Sequence, residues 1–149
     1  MNDTAKADGR LMNILLVEDN LADVMLTTEA LREGNIPHEL NAVNDGAEAI
    51  DYLRREGKYA DTVRPDIILL DINLPKKNGF DVLTEIKQNP DLQSIPVIIH
   101  TTSSAKQDIR RAYGLHANCY IVKPVDLDDF FRIVRSIEDF WFKVTTLPN

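Results

Sequence analysis

Four short apolar runs in this sequence are each followed, at once or after one residue, by a side chain able to carry charge or donate a hydroxyl. Glu18 and Asp19 follow Ile14–Val17, Asp71 follows Ile67–Leu70, Thr101 follows Val97–Ile99 after one histidine, and Lys123 follows Tyr120–Val122. Brought to one mouth, carboxylates a few ångströms apart repel by several kcal/mol at an effective dielectric of ~20. Such a cluster either retains a proton or takes up a cation. Carboxylate, carbonyl and water oxygens suit Mg²⁺, a lysine meets a phosphate as a point charge, and a hydroxyl can donate to a phosphoryl oxygen. The set therefore points to a phosphoryl group placed on Asp71. Singly these residues are ordinary, since an Asp after a strand is most often a cap or a turn residue. Their joint occurrence at consecutive strand ends is what singles them out.

The elements that must position them follow from periodicity. The four runs are too short for helices, rich in Ile, Val and Leu, and bounded by polar residues or proline, the pattern of strands buried on both faces of a parallel sheet. His38–Val43 alternates only weakly and reads as an edge strand. Helical patterns lie between. Leu21–Glu33 puts Leu21, Met25, Thr28 and Leu31 on one stripe, opened by Asn20 as N-cap and closed by Gly34 and Pro37. Ala47–Arg55 groups Ala47, Ile50 and Leu53; Phe80–Lys87 buries Phe80, Leu83 and Ile86; Lys106–Tyr113 uses Ile109 and Ala112; Leu127–Val144 is the longest. Strand and helix alternate five times, which implies an α/β doubly wound five-stranded parallel sheet with helices on both faces and right-handed crossovers. With the weak strand second, the order 2-1-3-4-5 is favoured, and ligands then bind beyond the carboxyl ends of strands 1 and 3, where the winding reverses.

Composition narrows the function classes. The chain has 149 residues, fitting one domain, and a formal charge of −7, which repels nucleic acid and anionic lipid. One cysteine allows no intrachain disulfide, and no apolar stretch reaches membrane-spanning length, so a cytoplasmic location is expected. Residues 1–11 read as a flexible tail, 12–144 as the domain and 145–149 as a second tail.

The motifs ILLVEDN at Ile14–Asn20, ILLDINLP at Ile68–Pro75 with Asn78–Gly79, Thr101, and YIVKP at Tyr120–Pro124 resemble those of response-regulator receiver domains of two-component signalling. The resemblance implies the flavodoxin-like receiver fold and a set of roles. Asp71 accepts phosphate from a sensor histidine kinase. Glu18, Asp19, Asp71 and the Asn73 carbonyl hold Mg²⁺. Thr101 and Lys123 bind phosphoryl oxygens, Lys123–Pro124 is a cis peptide, and Thr101 with Tyr120 forms a switch pair. Asn73 and Ser103 tune dephosphorylation. On this reading the chain acts on no substrate but its own phosphoryl group.

The longer segment Glu56–Arg64 and the C-terminal Glu138–Pro148 are similar to single-domain regulators paired with cyanobacterial phytochrome kinases, which implies a homodimer through the helix 4–strand 5–helix 5 face. With nothing after the domain, output by protein–protein contact or onward phosphotransfer is expected. Phe140, Trp141 and Phe142 are consecutive and cannot share one helix stripe, leaving aromatic surface for a partner. Cys119 reads as an inert core residue, His38 and His116 as surface or turn residues, His100 as packed, and Lys76–Lys77 as a solvated loop pair.

Three other classes compete. A haloacid-dehalogenase-like phosphohydrolase needs a second Asp at the position of Asn73. A nucleotide-binding domain needs a Gly-rich loop in place of Glu18–Asn20. A phosphorylation-independent dimerisation or adaptor module would keep the fold without needing the acids.

Overall fold

The structure, a computed structural model, describes residues 11–34 and 36–148; the expected N-terminal tail lies outside the described residues up to residue 10. The chain runs β1 (Met12–Val17), α1 (Leu21–Glu33), β2 (His38–Val43), α2 (Gly46–Arg54), β3 (Ile67–Leu70), α3 (Gly79–Gln88), β4 (Val97–Thr101), α4 (Lys106–Gly114), β5 (Cys119–Val122) and α5 (Leu127–Glu138). A 3-10 turn at Gly57–Tyr59 precedes β3, and a π-helical turn at Asp139–Val144 follows α5. All neighbouring strands pair in parallel, in the order β2-β1-β3-β4-β5.

Side chains alternate across a strand, so the central strands feed two cores. Leu15, Val17, Ile68, Leu70, Val97 and Ile99 pack with Leu83 and Ile86 on the α2–α3–α4 side. Ile14, Leu16, Ile67, Leu69 and Ile98 pack with Leu31, Phe130 and Val134 on the α1–α5 side. Because both faces are covered, β1 and β3 are apolar at nearly every position, while β2 at the edge is only partly buried. Side-chain N-caps fix four helix starts: Asn20, Asp45, Asn78 and Asp126 each accept the backbone N–H three residues on.

Several sequence expectations are corrected. In α1, Leu21 and Met25 are exposed, and the buried stripe is Thr27, Ala30 and Leu31. Asp23 turns inward to Lys123, and residues two before and two after it lie about 160° away around the helix, which points them outward. In α2, Ala47 is exposed and Ala49 joins Ile50 and Leu53 in the core. Lys123–Pro124 is trans, the lower-energy isomer of an X-Pro bond. Cys119 is half-buried at the margin of the α1–α5 core instead of within it. The segment Glu56–Arg64 folds back on α2: the Tyr52 and Tyr59 rings lie 5.2 Å apart, and the Thr62 hydroxyl donates to the carbonyls of both tyrosines.

At Gly34, just past the end of α1, the Glu138 carboxyl of α5 packs against the backbone. A Cβ on Gly34 would lie 1.7 Å from Glu138 Oε1. Glu138 is buried, its Oε2 has no hydrogen-bond partner, and burial pushes its pKa up to about 7 against the opposing charges of Lys143 and Arg135. Gly34→Ala is expected to lower stability by about 1–3 kcal/mol in urea unfolding at pH 7, as overpacking does. Shortening Glu138 to Ala in the same chain should remove most of that loss.

Candidate functional site: an acidic cleft closed by one lysine

The strand ends extend their ladders by one residue and so hold the site rigidly. The Glu18 N–H donates to the Val43 carbonyl at 3.0 Å, and the Asp71 N–H to Val17 at 3.0 Å. The Lys123 N–H donates to Thr101 at 2.6 Å. Gly79 lets α3 start directly beside this frame: a Cβ there would lie 2.4 Å from the Asp71 carbonyl oxygen.

Lys123 is the centre of the cluster. Its ammonium donates to Glu18 Oε1, to Asp23 Oδ2 at 2.9 Å and to Asp71 Oδ2 at 3.0 Å. Those three bonds use all the hydrogens an ammonium has. The other Asp71 oxygen, Oδ1, accepts from the Asn73 N–H at 3.0 Å. The side chains of Glu18 and Asp71 are only 3% and 7% exposed. Asp19 is exposed at the rim. Asp23 was not foreseen. An acid in the first turn of a helix is favoured by the helix dipole in any case, so its presence carries no signal until α1 is placed beside β5.

Three carboxylates share one ammonium, so negative charge is in surplus. Burial pushes the Glu18 carboxyl up to about 7, with the Asp71 charge adding and the Lys123 hydrogen bond opposing. For Lys123 burial acts downward, but hydrogen bonds to Asp23 and Glu18 and the Asp71 charge outweigh it and raise the pKa. Among the described residues no three His, Cys, Asp or Glu side chains already form a cation cage. The donors are nonetheless hard oxygens with excess negative charge, the chemistry a divalent cation such as Mg²⁺ or Mn²⁺ accepts.

Around this centre, Thr101 is buried and its Oγ1 accepts from Asn73 Nδ2 at 3.3 Å. An amide at that position has no acidic proton to give a leaving group, which counts strongly against the haloacid-dehalogenase mechanism. The Tyr120 hydroxyl donates to the Ser103 carbonyl at 2.9 Å, and Ser103 Oγ donates to Asp108 Oδ2 at 2.6 Å. Tyr120 thus spans from β5 to the β4–α4 loop, and the Ser103 hydroxyl is engaged with α4. His100 is buried against Phe130, with ring centroids 5.3 Å apart and Nε2 unpartnered. Burial, reinforced by the Lys123 charge, pushes its pKa down to about 4, so the ring is neutral. Of the three aromatics, Trp141 and Phe142 pack against the α1–α5 core, and Phe140 is left 53% exposed.

The family model for the response regulator receiver domain matches residues 14–135. The chain belongs to the response-regulator receiver family. Response regulator Rcp1 of Synechocystis sp. is 50% identical to this receiver over 135 residues, spanning 91% of this chain and 92% of that protein. Crystal structures agree with the receiver over 93% of its length. Phosphorylated cyanobacterial phytochrome response regulator RcpA has a TM-score of 0.91, 52% identity and 99% of its own chain covered. The Mn²⁺-bound form of Rcp1 has a TM-score of 0.90, 49% identity and 99% covered. The flavodoxin-like sheet order read from the sequence is the one observed.

Proposed function

We propose that this receiver takes a phosphoryl group on Asp71 from the phosphohistidine of a phytochrome-type sensor kinase in the cytoplasm. The observation that carries the reading is the Asp71 carboxylate held between the Lys123 ammonium and the Asn73 N–H at the carboxyl end of β3. The likeness to the phytochrome response regulator RcpA supports the choice of kinase class.

In the transfer, an Asp71 oxygen attacks phosphorus, the P–N bond breaks, and the electron pair leaves with the imidazole, which is protonated. Lys123 would offer N–H bonds to the phosphoryl oxygens as charge shifts toward Asp71, and the Thr101 hydroxyl would donate to another oxygen. Glu18, Asp19, Asp71 and the Asn73 carbonyl would hold Mg²⁺, which supplies charge neutralisation to the phosphoryl oxygens when bound. Asn73 and Ser103 are the residues beside the site that would tune hydrolysis. A turn of the Thr101 hydroxyl toward phosphate would break its Asn73 bond and free space toward Tyr120, whose own bond ties the β4–α4 loop to β5. The direct test is labelling by acetyl phosphate with Mg²⁺, with the added mass located on Asp71.

Output would pass through the helix 4–strand 5–helix 5 face of a homodimer. An apolar groove of about 250 Å³ lies there, lined by Cys119, Ile121, Ile133, Ile137 and Trp141, with Phe140 at its edge. Phe140→Ser is expected to shift the species toward monomer in sedimentation with an unchanged melting temperature. Trp141→Ala should also lower the melting temperature, because Trp141 packs on its own domain. A Phe140→Ser protein that sediments as the wild type does would remove this face as the dimer surface.

A further inference from the structure

The α5 helix ends on a carboxyl that the phosphoryl chemistry does not use. Glu138 is 1% exposed, and both its oxygens lie over Gly34 at the end of α1. Among the described residues its Oε2 has no hydrogen-bond partner. The charged groups around it are committed elsewhere. Arg135 of α5 lies 3.6 Å from Glu33 of α1, and Lys143 of the π-helical turn lies 3.3 Å from Asp139. Arg32 of α1 is paired with Glu29. His38, the titratable group at the start of β2, turns its Nδ1 to the Ile36 carbonyl. An ionised Glu138 in this place is a buried charge with no partner of its own, which is costly. Burial accordingly pushes its pKa up to about 7, with Lys143 and Arg135 opposing and Asp139 adding.

This carboxyl sits at a hinge. The next residue opens the π-helical turn Asp139–Val144, which carries Phe140, Trp141 and Phe142. The turn is closed by the Thr145 N–H on the Phe140 carbonyl at 2.9 Å. Trp141 packs on the α1–α5 core and, with Ile137 and Phe140, lines the apolar groove beside β5. We infer that Glu138 is a pH-sensitive latch on this aromatic turn. Protonated, the carboxyl stays packed on Gly34 and holds the turn. Ionised, it leaves Gly34 for water, and the turn loosens together with the groove wall that it forms. The folded chain holds this proton more tightly than the unfolded chain does. The latch therefore stabilises fully below about 4.5 and is lost as pH rises through about 7. The inference does not depend on Asp71 being the phosphoacceptor.

Trp141 is the chain's one tryptophan, so its emission reports the turn directly. The emission of the wild type is expected to shift to the red between pH 6 and pH 8, with a midpoint near 7. Glu138→Gln, neutral and of the same shape, should keep the low-pH emission throughout. Its melting temperature should match the wild type at pH 5.5 and exceed it at pH 8. Hydrogen exchange gives a second readout. Protection of the wild-type Thr145 N–H should fall ~10-fold by pH 8, beyond the intrinsic base-catalysed change, because the ionised form is in tenfold excess one pH unit above the pKa. An emission shift that survives in Glu138→Gln belongs to another titrating group and overturns the inference. A wild type whose emission and Thr145 protection stay constant over this range also overturns it. Should Glu138→Gln fail to fold, the wild-type Thr145 protection still decides.

Discussion

Asp71→Asn is expected to abolish labelling by acetyl phosphate and Mg²⁺, with a loss of at least ~100-fold in label at matched times. The substitution keeps the shape and the acceptor oxygen that the Asn73 N–H uses at 3.0 Å. It removes the carboxylate that closes β3 and bonds Lys123. An amide oxygen is a poor nucleophile toward phosphorus, so no slower version of the same step remains. Glu18 is bonded to Lys123 too, but burial holds its pKa up at about 7, so near neutral pH much of it carries a proton and is a poorer nucleophile. Label appearing at undiminished rate on Glu18 or Asp23 in the Asp71→Asn protein would show that the cleft chemistry is not specific to β3. The same variant lightens the surplus of negative charge, so its melting temperature should not fall.

How much of this was legible in the sequence depends on where each signal originates. The central strands were readable because burial on both faces forces apolar residues at successive positions, as in Ile67–Leu70. The weak alternation of His38–Val43 marked the edge for the same reason. Glu18, Asp71, Thr101 and Lys123 were readable because a parallel sheet brings consecutive strand ends to one side, and they meet there. The stripe of α1 was not readable: Leu31 belongs to two possible stripes, and the choice between them is made by Asp23 facing Lys123, a residue 100 positions away. The end of α5 was likewise decided by packing. Read as one helix through Val144, it instead widens into a π-helical turn closed by the Thr145 N–H on the Phe140 carbonyl. The wider turn lets Trp141 and Phe142 both reach the body of the domain, which an α-helical spacing of neighbours does not allow.

The Lys123 ammonium holds the acids of the cleft together. In the resting state it neutralises three acids from β1, α1 and β3, and its backbone is fixed to β4. Three elements therefore converge on its side chain, while β4 and β5 hold its backbone. A change of charge on Asp71 reaches all of them through the lysine, whereas Tyr120 and Ser103 report on β4–α4 alone. The lysine is accordingly a structural centre as well as the proposed phosphoryl ligand.

That dual role sets the second large expected effect. Lys123→Met should destabilise the chain by about 3–5 kcal/mol at pH 8, the cost of leaving buried charges without their partner. The penalty should shrink as pH falls, because the acids left behind can take protons. The sign follows from Glu18, whose folded pKa of about 7 lies above its ordinary value of 4.5 even with the lysine present. A carboxyl with a raised folded pKa binds more protons in the folded state between those values, so its contribution to stability is fully present below about 4.5 and lost as pH rises through about 7. Removing Lys123 removes the hydrogen bond and charge that oppose the rise, so the loss extends to higher pH and grows larger. Urea unfolding of wild type and variant at pH 5.5 and pH 8 measures both quantities. A penalty equal at the two values would mean that Lys123 stabilises the fold through its buried methylenes, and the charge account of the cleft would fail.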